Sequence, residues 1–156
     1  MTDKNDTNGA AAEMPPAPEK MIINAQYLKD FSFENPNVLE FLAGQEEPPQ
    51  LGVNIEVQAN GVGPHAYEVV LQLTAEAKQK EKSVMVTEIS YAGIFSMPEM
   101  DQDELRKYLL IECPKLLFPF ARSIISNMTS ESGLPPIMLE PVDFEALFKN
   151  QAETAA

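Results

Sequence analysis

The sequence predicts an α+β fold in which a four-stranded antiparallel sheet packs with one long, proline-bent helix and a short C-terminal helix. Apolar residues alternate with polar ones in four separate segments, and beyond Met97 they recur every three or four residues instead. The connections between the predicted strands are short, whereas parallel neighbours would need crossovers of about a dozen residues or more. An antiparallel meander is therefore the expected topology.

The length of the chain is sufficient for one domain. It has 156 residues, and its hydrophobic fraction of 44% supports a packed core. Residues 1–20 contain three prolines and little apolar surface, so we expect a disordered tail there. Residues 21–149 are expected to form the folded domain, and residues 150–156 a frayed C-terminal tail.

The first predicted strand begins near Met21 and ends before Pro36. Within it, Phe31 and Phe33 alternate with polar neighbours, which is the pattern of a strand with one buried face. Proline disfavours continuation of the strand, so a turn follows. A connector over residues 37–50 then leads to the second strand.

The remaining three strands show the same alternation and span residues 51–58, 66–77 and 83–95. The pair Asn60-Gly61 tolerates positive φ and predicts the reversal between the second and third strands. The charged segment 78–82 turns the chain into the fourth strand.

A long helix is predicted after the strands. Acidic residues from Asp101 onward suit a helix N-terminus, and apolar residues continue at helical spacing to Met128. Pro114 and Pro119 lie inside this helix and predict a bend or an irregular turn, because each lacks a backbone donor. Asp143 then caps the short last helix.

A second row of apolar residues on this helix exceeds what one sheet needs. The row consists of Leu110, Leu117, Phe118 and Ile125. We expect another surface to cover it, and self-association is the simplest source of that surface.

The charge balance argues against several classes of partner. Eleven Lys and Arg stand against 24 Asp and Glu, which gives a net charge of −13. Such a chain repels phosphate backbones and anionic lipids, so neither nucleic-acid binding nor membrane insertion is expected. No apolar run reaches the length of a membrane span or a signal peptide, which predicts a cytoplasmic protein.

The residues available for catalysis are few, so we expect neither an enzyme nor a cofactor. His65 follows Gly-Pro in a predicted exposed turn, and Cys113 lies in an apolar helical row, where a buried thiol is expected. With one cysteine and one histidine, neither a disulfide nor structural zinc is expected. The alternative function is that of a small α+β protein that binds a small ligand in a pocket. Such a protein would need an ionisable group such as Glu112 or Asp143 inside a cavity.

Four segments resemble the SecB family of protein-export chaperones, in the same order and spacing. They are YLKDFSFENPN (27–37), YEVVLQLTAEA (67–77), YAGIF (91–95) and residues 109–148, which contain the specific elements CP-x-LFPFAR and LPP-x-x-L-x-P-x-DF-x-AL. The resemblance covers residues 25–148. It implies a cytoplasmic homotetramer, a dimer of dimers, from a Gram-negative bacterium. It further implies that the protein holds unfolded preproteins and signal-sequence-bearing precursors without ATP and passes them to SecA, the export motor.

The resemblance also implies roles for individual residues. SecA docking through an acidic surface of the sheet would use Asp30, Glu34, Val86 and Glu88. Client binding in apolar grooves would use Val53, Ile55, Val57, Phe118, Phe120, Leu134 and Met138. The oligomer interface would use Leu110, Leu117, Ile89 and Tyr91.

Two questions stay open at the level of sequence. The segment after Phe148 is short and carries only Glu153 as an acid, so the resemblance does not extend to a SecA contact through the C-terminal tail. A SecB-like chaperone specialised to one client, such as a toxin–antitoxin partner, would have the same fold and differ in its selectivity among unfolded proteins.

Overall fold

The computed structural model describes residues 14–44 and 48–154. Most of the predicted tail over residues 1–20 lies outside these ranges, as does the end of the predicted tail over residues 150–156. The last helix continues to Thr154, beyond the predicted domain boundary at Lys149.

Four antiparallel strands form one sheet, as predicted for the α+β class. They are β1 (Ile22–Glu34), β2 (Gln50–Gly63), β3 (Ala66–Gln79) and β4 (Lys82–Ser96). The order in the sheet is β1-β4-β3-β2, so only the last three strands form the predicted meander. β1 pairs with β4 instead of β2, and β1 and β2 are therefore the two edge strands.

The connection between β1 and β2 explains this order. It contains a short helix, α1 (Val38–Ala43), and Val38 and Phe41 pack against a buried cluster that includes Val84 near the start of β4. This packing holds the connection across the end of the sheet, so the chain passes from one edge to the other. The result is a Greek-key arrangement in which the long connection comes first.

The turn between β2 and β3 differs from the prediction. The reversal is at Pro64-His65, because Gly63 pairs with Ala66, whereas Asn60-Gly61 continues β2. His65 adopts φ 55° and is half-buried instead of exposed. The turn between β3 and β4 lies within the predicted segment 78–82.

The helical half of the chain begins with α2 (Gln102–Lys107), a π-helical turn (Tyr108–Glu112) and α3 (Cys113–Glu131), and ends with α4 (Phe144–Thr154). In the π-helical turn the Cys113 amide donates to the Tyr108 carbonyl, five residues earlier, immediately before Pro114. An irregular turn was predicted at these prolines, and the bend of the helix axis stays a prediction.

Aspartate side chains cap the N-termini of two helices. The Asp101 carboxylate accepts a hydrogen bond from the Glu104 amide at 2.8 Å, and the Asp143 carboxylate accepts one from the Ala146 amide at 3.0 Å. Both satisfy amide groups that have no partner within the helix. The predicted cap of the last helix is therefore confirmed.

α3 packs closely on β3 and β4 because β4 has a glycine under it. A Cβ at Gly93 would lie 3.0 Å from Leu117 Cδ2 and 2.8 Å from Phe95 Cε2. Leu117 is 0% exposed, and Phe118 and Ile125 are also buried within the chain. Most of the second apolar row is thus covered by the protein's own core, which corrects the expectation that it needs another surface.

A second apolar cluster fixes the segment between α3 and α4. Leu134 packs there with Ala77, Val84 and Met85, and Ile137 contacts both this cluster and the main core. The Ile137 amide also donates to the buried Thr129 hydroxyl at 2.9 Å. These contacts hold residues 132–143 against the sheet, near the start of β2.

Candidate functional site

The two faces of the sheet carry different chemistry. Side chains alternate along each strand, so one face, here called the inner face, packs on α3, and the opposite, outer face points away from the helices. On the outer face polar and acidic residues dominate, whereas the inner face is apolar. This separation offers two chemically distinct binding surfaces.

The outer face brings together all four residues predicted for partner docking. The register places Glu34 of β1 opposite Val86 of β4, Ser32 opposite Glu88, and Asp30 opposite Ser90. Directly opposed residues in an antiparallel pair have Cβ atoms about 4.5–5.5 Å apart. An apolar residue, Val86, therefore lies beside the Glu34 carboxylate and two residues from Glu88 on the same strand, and Asp30 lies further along the sheet, opposite Ser90.

The acidic surface continues onto two strands where sequence reasoning did not place it. Across β4, Val86 pairs with Glu76 of β3, and the row of Asp30 and Ser90 continues through Gln72 to Glu56 of β2. Glu76 and Glu56 each alternate with apolar neighbours in the sequence, so the pattern predicts that they lie on the polar face of their strands. Their position beside the predicted docking residues depends on the strand order.

A polar cluster occupies the outer face toward the other end of the sheet. The Lys29 ammonium lies 2.7 Å from the Glu68 carboxylate, and the Tyr27 hydroxyl donates a hydrogen bond to the same carboxylate. Both donors hold the pKa of Glu68 below its usual value, and the bond to Glu68 raises the pKa of Tyr27 to about 12. The charge of Lys29 is thus balanced locally.

The inner face leaves an apolar strip on the edge strand β2. Leu51 and Val53 are each 43% exposed, while Ile55 and Val57 are half-buried against the main core. α3 packs on β3 and β4, so these four residues, here called the β2 strip, lie at the margin of the helical layer. Leu51 was not among the predicted client-binding residues, although it belongs to the same alternating pattern.

The segment after α3 lies beside this strip. Leu134 belongs to the same buried cluster as Ala77, whose register partner on β2 is Leu51. Leu134 itself is buried, whereas Met138 is 67% exposed. Of the predicted residues in this segment, only Met138 offers substantial side-chain surface to a client.

The two predicted phenylalanines have different environments. Phe118 is buried, with its ring edge-on to Phe144 at 6.2 Å between centroids and with Arg122 at 5.8 Å. Phe120 is 49% exposed and stacks on Tyr91 of β4 at 5.9 Å. Neither phenylalanine adds an exposed ring to the β2 strip, because β3 separates β4 from β2.

Phe120 belongs to a second apolar surface, at the β1 edge. Leu116 lies one helical turn before Phe120, and Leu28 of β1 is the register partner of Tyr91, on which Phe120 stacks. Together with Ile23, these exposed residues form the surface that we call the β1-edge patch: Ile23, Leu28, Leu116 and Phe120.

Three of the four predicted interface residues lie in the core of the chain itself. Leu117, Ile89 and Tyr91 are 0%, 1% and 8% exposed, and Leu110 is half-buried. Their burial is explained by packing between α3 and the sheet. Leu117 and Ile89 therefore expose little surface in a single copy, and the interface role of all four residues stays a prediction.

The groups considered for chemistry have structural roles. Burial raises the pKa of the Cys113 thiol to about 12, and the exposed Glu112 carboxylate lies 3.5 Å from the Lys115 ammonium. Asp143 is exposed at the start of α4. Among the described residues, no group of three or more histidine, cysteine or acidic side chains could hold a metal ion, and no helix is long and apolar enough to cross a membrane.

Comparison with known proteins gives a consistent result. A family model described as "Preprotein translocase subunit SecB" matches residues 14–155. The chain is similar to the protein-export protein SecB of Rhodospirillum centenum, with 42% identity over 97% of this chain and 92% of that protein. It is similar to the protein of the same name from Nitrobacter winogradskyi, with 43% identity over 96% and 93%.

A solved structure shares the fold at lower identity. It is a SecB-like chaperone of Mycobacterium tuberculosis in complex with a peptide from the HigA1 antitoxin. The TM-score is 0.67 at 18% identity, covering 79% of this chain and 91% of that one. At this identity the likeness extends to the fold alone.

Proposed function

Because this chain belongs to the SecB family of protein-export chaperones, we propose that it holds unfolded preproteins in the cytoplasm and delivers them to SecA. The role in protein export follows from family membership. The proposal concerns the surfaces through which this chain acts, its assembly and its independence of nucleotide.

The observation that carries the proposal is the separation of two exposed surfaces on one rigid sheet. The β2 strip offers aliphatic side chains on the inner face, and the outer face offers carboxylates around Val86. An unfolded client presents apolar segments, which suit the strip, and a basic partner suits the acidic face. Since the surfaces lie on opposite faces, both can be occupied at once.

We assign client contact mainly to Leu51, Val53 and Met138, the most exposed apolar residues of this region. Ile55 and Val57 contribute their half-exposed surface. Many modest apolar contacts suit a chaperone, since clients share no defined structure that a deep pocket could recognise. Such contacts need neither ATP nor a cofactor.

A homotetramer, built as a dimer of dimers, is proposed to supply enough of these contacts. The β1-edge patch is exposed in one copy and would be covered by a second, with half-buried Leu110 at a further contact. Several strips in one assembly make binding of successive client segments intramolecular, which raises the overall affinity. The net charge of −13 keeps the assembly dispersed.

The test is a calorimetric titration of the purified protein, without nucleotide, with one client held unfolded and with the same client folded. We expect binding of the unfolded form alone, and subsequent binding of SecA to the loaded complex. Binding to neither form by a protein that still migrates as a tetramer would refute a general holding activity.

The same titration separates this proposal from a chaperone specialised to one client. A specialised protein would bind one unfolded sequence and ignore others of equal hydrophobicity. The relatives at 42–43% identity carry the protein-export name, whereas the antitoxin-bound neighbour shares only the fold. We therefore propose general export clients.

A further inference from the structure

A shallow depression of about 430 Å³ lies where the outer face reaches the edge strand β2. Most of the residues that line it occupy outer-face positions of β2 and β3. Leu51 and Val53 complete the lining at the edge of β2. The outer-face residues are Gln50, Gly52, Asn54, Thr74, Glu76 and Lys78.

The depression exists because one position in the row lacks a side chain. The register runs from Glu34 through Val86 and Glu76 to Gly52, one residue from each strand. A Cβ built at Gly52 would meet only the Glu76 carbonyl oxygen within 4 Å, at 4.0 Å. The space above Gly52 is therefore open, and a larger residue would fill it without disturbing the backbone.

The Glu76 carboxylate borders this space. Its side chain is 37% exposed, and its ion pair with Lys78 has a separation of 3.9 Å, longer than a hydrogen bond. Lys78 is itself 56% exposed, so this contact holds the carboxylate weakly. Glu76 retains the capacity to accept hydrogen bonds from an incoming cation.

The area required for docking also supports a role for this region. The predicted docking residues lie on β1 and β4, adjacent strands about 5 Å apart, whereas the row from Glu34 to Gly52 spans about 15 Å. A specific interface buries about 800 Å² on each partner. The outer face of β1 and β4 alone is too small to provide this area. A partner centred on Val86 would extend over β3 and reach the depression.

We propose that the depression over Gly52 receives a lysine or arginine side chain of the basic partner that docks on the outer face, with Glu76 as its carboxylate ligand. The inference rests on the proposed function, in which that partner is SecA. It extends the docking surface from β1 and β4 to the edge strand β2, and it gives a role to the glycine at the end of this row.

Two independent variants test the proposal by titration with SecA. Gly52→Leu fills the depression without changing charge, and Glu76→Gln removes the charge without changing shape. We expect each to weaken SecA binding about ten-fold, and Glu76→Gln to reduce its salt dependence, while binding of an unfolded client is unchanged.

Matched controls use the same substitutions elsewhere. Gly61→Leu lies on the same strand with nothing within 4 Å of its Cβ, and Glu145→Gln lies on α4, in the helical layer. Both should bind SecA as the unaltered protein does. If the unaltered protein binds SecA and both test variants do so equally well, the inference is overturned while the proposed function stands.

Two further outcomes of these titrations would also overturn the inference. An unaltered protein that binds clients but not SecA overturns the proposed delivery and this inference together. Equal loss of client and SecA binding in Glu76→Gln overturns the inference, because it assigns Glu76 to the partner alone.

Discussion

The Tyr27 hydroxyl on β1 donates a hydrogen bond to the Glu68 carboxylate on β3, across the strand that separates them. The register places Ala92 of β4 beside Tyr27, and its small side chain leaves room for the phenol to cross. The bond joins strands that share no backbone hydrogen bonds. It therefore ties the edge strand β1 to the centre of the sheet.

The two donors to Glu68, first Lys29 and then Tyr27, predict a difference in acid stability. The pKa of Glu68 is lowered from 4.5 in the folded chain, so its contribution is present above about pH 4.5 and is lost as the pH falls through the lowered pKa. Glu68→Gln should lack this part of the pH dependence. Lys29 is 48% exposed, so the difference should not exceed about 1 kcal/mol.

Urea unfolding at fixed protein concentration, at several pH values between 3 and 7, measures the difference. Glu145→Gln, at an exposed position of α4, serves as the control and should follow the unaltered protein. Parallel stability curves for Glu68→Gln and the unaltered protein would contradict the assignment.

The β2 strip predicts a loss of client holding when it becomes charged. Leu51→Asp with Val53→Asp should weaken binding of an unfolded client about ten-fold or more, because two exposed apolar contacts are replaced by carboxylates. We choose Leu51 instead of Ile55, since Ile55 also packs on the core. The measurement is suppression of client aggregation, together with the size of the assembly.

Asn54→Asp with Gln58→Asp is the matched control, because it adds the same charge to the same strand on the outer face. This variant should retain client binding. Unimpaired suppression of aggregation by Leu51→Asp with Val53→Asp would remove the strip from the client site.

The outer face predicts that charge reversal weakens partner docking selectively. Asp30→Lys with Glu34→Lys should weaken SecA binding by at least ten-fold, because two outer-face carboxylates, opposite Ser90 and Val86, become cations facing a basic partner. Client binding should persist, since the β2 strip lies on the inner face. Parallel titrations with SecA and with an unfolded client measure both effects.

Glu140→Lys with Glu145→Lys changes the net charge equally, at exposed positions outside the sheet, and should leave SecA binding intact. Loss of SecA binding in both variants would attribute the effect to net charge instead of to the outer face.

The contact of Gly93 with Leu117 predicts a strong effect of one added methyl group. Gly93→Ala should lower the free energy of unfolding by about 1–3 kcal/mol, because its Cβ would lie only 3.0 Å from the Leu117 side chain. Gly61→Ala, with open space around its Cβ, should have little effect. Thermal unfolding at matched concentration compares them, and equal stability of the two variants would contradict close packing at Gly93.

The sequence alone was sufficient to predict the existence of the strands and the starts of two helices. Alternation predicted four strands, of which only β2 ends well away from its predicted bound, five residues later, and Asp101 and Asp143 predicted the helix starts where their carboxylates accept amide hydrogen bonds. These features depend on neighbours within a few residues, which are present in the sequence pattern. The resemblance in residues 25–148 likewise predicted the family that the comparisons show.

Only the tertiary structure decided which elements meet. Helical spacing marked Leu117 and Phe120 alike as apolar, and packing buried Leu117 while leaving Phe120 exposed. The pairing of β1 with β4 placed Glu34 in one row with Glu76 and Gly52. Such relations depend on contacts distant in sequence, whose stability comes from packing across the whole sheet and is absent from any local pattern.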